Sequence, residues 1–195
     1  MTFLSTDNNG SLKVSHAQHS INDLTDANDS GKAVGSLLIW DGSNWANYNR
    51  LSCQVYRSAN LSVPTSTPET LVTFDSEDHD FGAMHSVSTN TSRIVAPETG
   101  VYLIAATITF DISSTGNRYF FISKNAAGSP GGGTQLLAET QVATASPTFS
   151  ILGASIVKVL SANDYIELFV YQNRGSNLNL IGGATATNMS LTRIA

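Results

Sequence analysis

Four carboxylates and two histidines crowd together between positions 75 and 85: Asp75, Glu77, Asp78, Asp80, His79 and His85. Hard cations want several carboxylate oxygens in one loop, so a metal site is the sharpest chemistry this chain could offer. The run lacks the alternating ligand register and the glycine of a calcium-binding hand. The expected reading is therefore a solvated loop whose Asp side chains cap turns, with a cation site as the alternative. Hydrolytic chemistry has less to stand on, because there is no Gly-x-Ser-x-Gly elbow, no His-Glu-x-x-His and no cysteine pair. His16 and His19 read as surface or inter-subunit polar residues. Cys53 is the sole cysteine, so no intrachain disulfide forms, and a buried small hydrophobe is its expected role. The run from Gly128 to Gly133 is a flexible loop with no following helix to make it a phosphate cradle. No residue set calls for an enzyme, a cofactor or a bound metal.

The elements that would carry such residues are strands. From Val101 to Phe110, Tyr102, Ile104, Ala106, Ile108 and Phe110 fall on one face and Thr107 and Thr109 on the other, the period of a half-buried strand. Further strands are expected at 52–57, 71–74, 92–96, 118–124, 135–142, 148–160, 165–172, 177–181 and 188–194, punctuated by Gly, Pro, Asn and Ser. Residues 135–142 could also form a helical turn. This pattern fills residues 50–195 and suits an antiparallel β-sandwich. Residues 1–49 differ: they hold both tryptophans and a turn-rich sequence, with an anchoring turn at Ile21 and Leu24, a loop over 26–31, and a small hairpin in which Leu37 to Trp40 runs into a turn at 41–44 and returns at Trp45. One hairpin cannot support itself in water, so the segment must lean on something larger.

Totals narrow the function. With 195 residues, 41% of them hydrophobic, the chain can build a real core. A formal charge of -5 and only ten Lys and Arg residues argue against a nucleic-acid or anionic-lipid surface. No apolar run is long enough to span a membrane and no secretory leader is evident, so the product is expected to stay in the cytoplasm where it is made until assembly or lysis.

The order of these segments resembles the C1q and tumour necrosis factor-like jelly roll, including the versions found in bacteriophage virion proteins. Ser92-Arg93-Ile94-Val95-Ala96-Pro97 followed by Gly100-Val101-Tyr102 resembles the family's F-x-x-P-x-x-G-x-Y signature. Tyr119 to Asn125 resembles its strand ending in Lys-Asn-Gly. Ser155 to Leu160 with Asn163-Asp164-Tyr165-Ile166-Glu167-Leu168 resembles its L-x-x-G-D-x-V-x-L hairpin, with Asn163 in the glycine's place. Asn tolerates the left-handed conformation that such a turn needs. Leu24-Thr25-Asp26 with Gly35 to Gly42 and Trp45-Ala46-Asn47 resembles an element that recurs in phage fibre and head-decoration proteins.

The resemblance implies an all-β, antiparallel jelly-roll sandwich with a small N-terminal attachment segment. It also implies a homotrimer. Tyr165, Glu167, Phe169 and Tyr171 share one face of a strand whose other face carries Ile166, Leu168 and Val170, and a sandwich needs only one apolar face per strand. The aromatic face is therefore expected to meet the threefold partner, the alternative being a loop of the same chain folded over it. In a virion protein, Ile21, Leu24, Leu38, Trp40 and Trp45 would attach the chain to the major capsid protein or another virion protein. The expected function is a non-enzymatic capsid-decoration (cement) or head-fibre protein on the virion surface. The alternative is a tail-fibre or spike-tip adhesin that binds a host surface receptor or glycan.

Overall fold

The computed structural model describes residues 2–6, 12–16, 27–28, 37–40, 43, 45–48, 50–66, 68–143 and 148–195. The chain divides into two compact units, Met1–Arg50 and Leu51–Ala195. In the first, β1 (Thr2–Thr6) pairs antiparallel with β2 (Leu12–His16), while β3 (Ala27–Asn28) runs parallel to β5 (Trp45–Tyr48), which pairs antiparallel with β4 (Leu37–Trp40). The expected Leu37–Trp40 hairpin is present. The strands β1 and β2 fall where the sequence shows no sustained alternation, and β3 falls inside the segment expected to be a loop. Ile21 and Leu24 lie outside the described residues.

The second unit carries β6 (Ser52–Tyr56), β7 (Leu61–Val63), β8 (Thr70–Leu71), β9 (Ser76–Phe81), β10 (Arg93–Val95), β11 (Gly100–Phe110) and β12 (Asn117–Lys124). It continues with β13 (Thr134–Val142), β14 (Ser150–Leu160), β15 (Tyr165–Gln172), β16 (Leu178–Leu180) and β17 (Asn188–Arg193). No helix occurs among the described residues. All strand pairs of this unit are antiparallel and fall into two sheets. One has the order β10-β15-β12-β13, with β8 also on β15; the other runs β7-β16-β11-β17-β6-β9, with β14 also paired to β11. This is a jelly-roll sandwich.

Alternation along the strands builds its core. Tyr102, Ile104, Ala106, Ile108 and Phe110 of β11 are all buried, as the sequence pattern requires. They meet Phe120 and Ile122 of β12, Ile166, Leu168 and Val170 of β15, Cys53 and Val55 of β6, and Met189 and Leu191 of β17 in one apolar cluster. Burial also pushes the Cys53 thiol well above the ordinary thiol range, helped by the charges of Asp80 and Glu77, so it stays protonated.

Two turns fix the register around β15. Asn163 adopts φ 70° between β14 and β15 and its N–H donates to Ala96 O at 2.8 Å, the left-handed position the sequence assigns to an asparagine in place of glycine. After β12, the chain folds back through residues 125–133. Gly133 there has φ 66°, and a β-carbon would run into the Lys124 carbonyl oxygen.

Residues 71–74 are mostly not a strand. Only Thr70–Leu71 pairs with β15, although Val72 N–H still donates to Leu168 O at 2.9 Å and Phe74 N–H to Thr91 O at 2.8 Å, with both side chains buried. The acidic run 76–81, expected to be a loop, is instead the edge strand β9 against β6, with a register shift at Gln54/Val55. Charged side chains on an edge strand discourage pairing with other chains. Residues 134–142 form a strand rather than a helical turn.

Candidate functional site

The acidic run uses its side chains internally. Asp75 accepts from Ser58 N–H at 2.7 Å and Ser58 Oγ at 2.8 Å; Asp80 accepts from the N–H groups of Met84 at 2.9 Å and His85 at 3.0 Å. His85 Nδ1 donates to Glu77 at 2.8 Å, and His79 Nε2 lies 2.9 Å from Ser52 Oγ. Among the described residues no group of three or more His, Cys, Asp and Glu side chains comes together as a metal centre would. The carboxylates cap turns and hold the loop after β9 in place.

The four residues expected to meet a threefold partner separate into two roles. Phe169 is completely buried within its own chain: its ring stacks on Phe121 at 5.1 Å, and Ala126, Leu71 and Tyr119 close around the pair. Tyr171 stacks on Tyr119 at 4.7 Å. Glu167 is also fully buried, accepting from Ser92 Oγ at 2.9 Å, Arg93 Nε at 3.1 Å and Gly128 N–H at 2.9 Å. Tyr165 lies beneath Arg93, with the guanidinium carbon 4.2 Å from the ring centroid, while its hydroxyl accepts from Ala127 N–H at 3.1 Å. The premise that another protomer must cover this face is thus corrected at Glu167 and Phe169. Residues 125–128, just after β12, fold over them, because a buried carboxylate and two apolar rings each need partners that their own chain can supply.

The other sheet carries an exposed apolar surface. On the side of β11 and β14 away from the core, the cross-strand rows are Val101 with Val159, Leu103 with Val157, Ala105 with Ser155, Thr107 with Gly153 and Thr109 with Ile151. Ser190 and Thr192 of β17 continue these rows, followed by Ser52 and Gln54 of β6. None of these side chains is charged. Val159 is 69% exposed, Ile151 63%, Val157 50% and Leu103 39%. Among the described residues β14 has no hydrogen-bonded strand on its other side, although β13 packs near it, and its outward apolar side chains stay exposed. Such an edge is a template for association unless something covers it.

A concave feature lies at the Arg93 end of the sandwich. A cavity of about 290 Å³ opens there, lined by Arg93 and Tyr165 together with His85, Ser86, Thr89 and Asn90 of the loop after β9. Sequence reasoning missed it, since Arg93 and Glu167 lie 74 positions apart. The available signal was Glu167 itself, a carboxylate in the otherwise apolar run 166–170, which demanded a cation nearby.

In the N-terminal unit, Trp40 and Trp45 are directly opposed across β4 and β5, their rings edge-to-face at 5.7 Å. Both are half-exposed, as are Leu37 and Ile39. Leu38 lies in β4 between them.

No protein-family model and no curated protein matches the sequence. Solved structures do match in fold. Murine APRIL superposes with a TM-score of 0.57 at 13% identity over 74% of this chain and 99% of its own. Eiger TNF from S. frugiperda gives 0.53 at 16% identity over 76% and 94%. The globular domain of zebrafish complement 1qA protein gives 0.52 at 13% identity over 74% and 98%. The chain therefore has the C1q/TNF jelly-roll fold, as its sequence pattern implies.

Proposed function

We propose that this chain is a non-enzymatic, homotrimeric surface protein of a bacteriophage particle, a capsid-decoration or head-fibre protein whose residues 1–49 attach it to the major capsid protein or another virion protein. The observation that carries association is the uncharged outer face of β11 and β14, with its exposed apolar side chains at Ile151, Val157 and Val159. A second copy of the chain suits that face. Neutral threonine, serine and alanine rows pack closely without stranding a charge, and the valine and isoleucine positions supply apolar area.

The virion assignment is supported by the resemblance of residues 24–47 to an element of phage fibre and head-decoration proteins. Trp40, Trp45, Leu37 and Ile39 offer that segment large apolar side chains which solvent alone does not favour. On this reading the protein acts by binding, adding buried area to the shell. The second reading is a tail-fibre or spike-tip adhesin, favoured by the cavity beside Arg93.

The test is co-sedimentation with undecorated capsids. A protein lacking residues 1–49 should remain a folded trimer by sedimentation and lose capsid binding. Trp40→Ala with Trp45→Ala should reproduce part of that loss, each ring contributing about 2 kcal/mol where it fills a central pocket. Undiminished binding of the truncated trimer would place attachment in the jelly roll, and a monomeric mass would remove the trimer.

A further inference from the structure

The cavity beside Arg93 is built in a way that a merely structural ion pair does not require. Arg93 uses its Nε toward Glu167, whose other contacts to Ser92 Oγ and Gly128 N–H hold the carboxylate rigid. The guanidinium plane rests on Tyr165, and that ring is itself fixed through its hydroxyl by Ala127 N–H. Two side chains thus lock the orientation of one arginine. Among the described residues Nε is the one nitrogen of the Arg93 side chain with a hydrogen-bond partner, and Arg93 lines the cavity.

The surrounding carboxylates cannot take that role. Glu77 is engaged by His85, Asp80 by the Met84 and His85 N–H groups, and Glu167 on both of its oxygens. An oriented guanidinium with two free η nitrogens matches a planar carboxylate, which it can grip through two parallel N–H bonds. The exposed side chains of Thr89 and Asn90 also line the cavity, on a loop held by backbone bonds. Arg93 N–H donates to Asn90 O at 2.9 Å, and Ser86 Oγ accepts from Thr89 N–H at 3.1 Å. Such a rim offers both donors and acceptors, which is what a polyhydroxylated ring presents in return. About 290 Å³ is space for one sugar ring.

We propose that this cavity binds a single carboxylated sugar residue, a uronic or sialic acid, with its carboxylate on the Arg93 η nitrogens and its hydroxyls on Thr89 and Asn90. The site is complete within one protomer and goes beyond the reading given above, standing whether the protein sits on a capsid or on a tail.

The test is a ligand-observed NMR titration of the full-length protein with glucuronate and N-acetylneuraminate, against glucose, acetate and inorganic phosphate. The sugar acids should bind at least about tenfold more tightly than glucose or acetate, reflecting charge-assisted bonds and rim contacts together. Arg93→Lys keeps the positive charge beside Glu167 but loses the paired geometry and should weaken binding about tenfold. Thr89→Ala with Asn90→Gly removes the rim while sparing the left-handed backbone at Asn90 (φ 50°), and should weaken sugar acids but not acetate. A melting curve accompanies each variant, and the rim variant, altered only at exposed side chains, stays informative if Arg93→Lys fails to fold. Equal binding of glucose and glucuronate, or no binding of either acid, overturns the proposal. So does phosphate or acetate binding as tightly as the sugar acids with no effect of the rim variant, which would mark a nonspecific oxyanion contact.

Discussion

Val157→Asp separates the two faces on which this chain could associate. Val157 lies on the outer side of β14, opposite Leu103, and is 50% exposed in one chain. If a neighbouring protomer covers it, the exposed half of the side chain, ~75 Å², contributes about 2 kcal/mol at 25 cal/mol per Å². A carboxylate in its place forfeits that and adds a desolvation cost of at least a further ~2 kcal/mol where it finds no partner. The penalty per protomer is then about 4 kcal/mol, on the order of a thousandfold in each association step. Folding should be spared, since the apolar residues that β14 turns to the core include Leu152, Ile156 and Leu160. Sedimentation velocity at micromolar concentration should show a trimer for the unaltered protein and a monomer for Val157→Asp, with thermal melts separating dissociation from unfolding. Tyr171→Ala, on the outer side of β15, should leave the trimer mass unchanged. An intact Val157→Asp trimer would refute the reasoning, and dissociation by Tyr171→Ala alone would return the interface to the aromatic face.

Other substitutions probe the chain's internal chemistry. Phe169→Ala should lower folding stability by about 3–5 kcal/mol in denaturant titrations, because its ring is wholly buried against Phe121; a mass change without that loss would contradict its place in the core. Arg118 is fully buried with Nε and Nη2 unpartnered, its one bond running to Thr115 O at 2.6 Å, and burial together with the Arg174 charge works against its protonated form. Arg118→Met should therefore leave stability unchanged or raise it by about 1–4 kcal/mol, and a marked fall would show that the guanidinium is better compensated than its contacts indicate. Burial pushes the Asp164 carboxyl up, but bonds from Asn125, Ser161 N–H and Lys124 outweigh it and hold the group below the ordinary aspartate range. A depressed folded value means the contribution is present above about pH 4 and fades as pH falls through that region. Melting temperatures measured down to about pH 3 should fall more steeply for the unaltered protein than for Asp164→Asn.

The parts of the fold legible in the sequence are those where one strand face is buried and the other wet. β11 shows this best, its even positions from Tyr102 to Phe110 all lying in the core. β9 was hidden because Ser-Glu-Asp-His-Asp-Phe carries no apolar alternation; its pairing with β6 comes from backbone bonds that any side chain permits. Thr70–Leu71 is shorter than its apolar sequence suggests, since Val72 and Phe74 fill the core from backbone that bonds without a regular ladder. The Arg93–Glu167 pair depends on β10 lying beside β15, a tertiary fact with no local signal.

The two candidate association faces show what aromatic content can and cannot say. A ring on the outer side of a strand signals that the position will be covered, but not by what. At β15 the cover is local. β12 is followed by residues 125–133, which turn back over Glu167 and Phe169 through Gly128 N–H and Ala126 and bury both within one protomer, while Tyr165 and Tyr171 stay half-buried. At β14 no such return exists among the described residues, and the apolar side chains there are smaller. The sequence does carry the distinction. In β14 apolar residues occupy both parities, Leu152, Ile156 and Leu160 facing inward and Ile151, Val157 and Val159 outward, on an edge strand that needs only the first set to join the core. In the trimer proposed above, it is that redundant second set, rather than the tyrosines and phenylalanines, that another copy of the chain would cover.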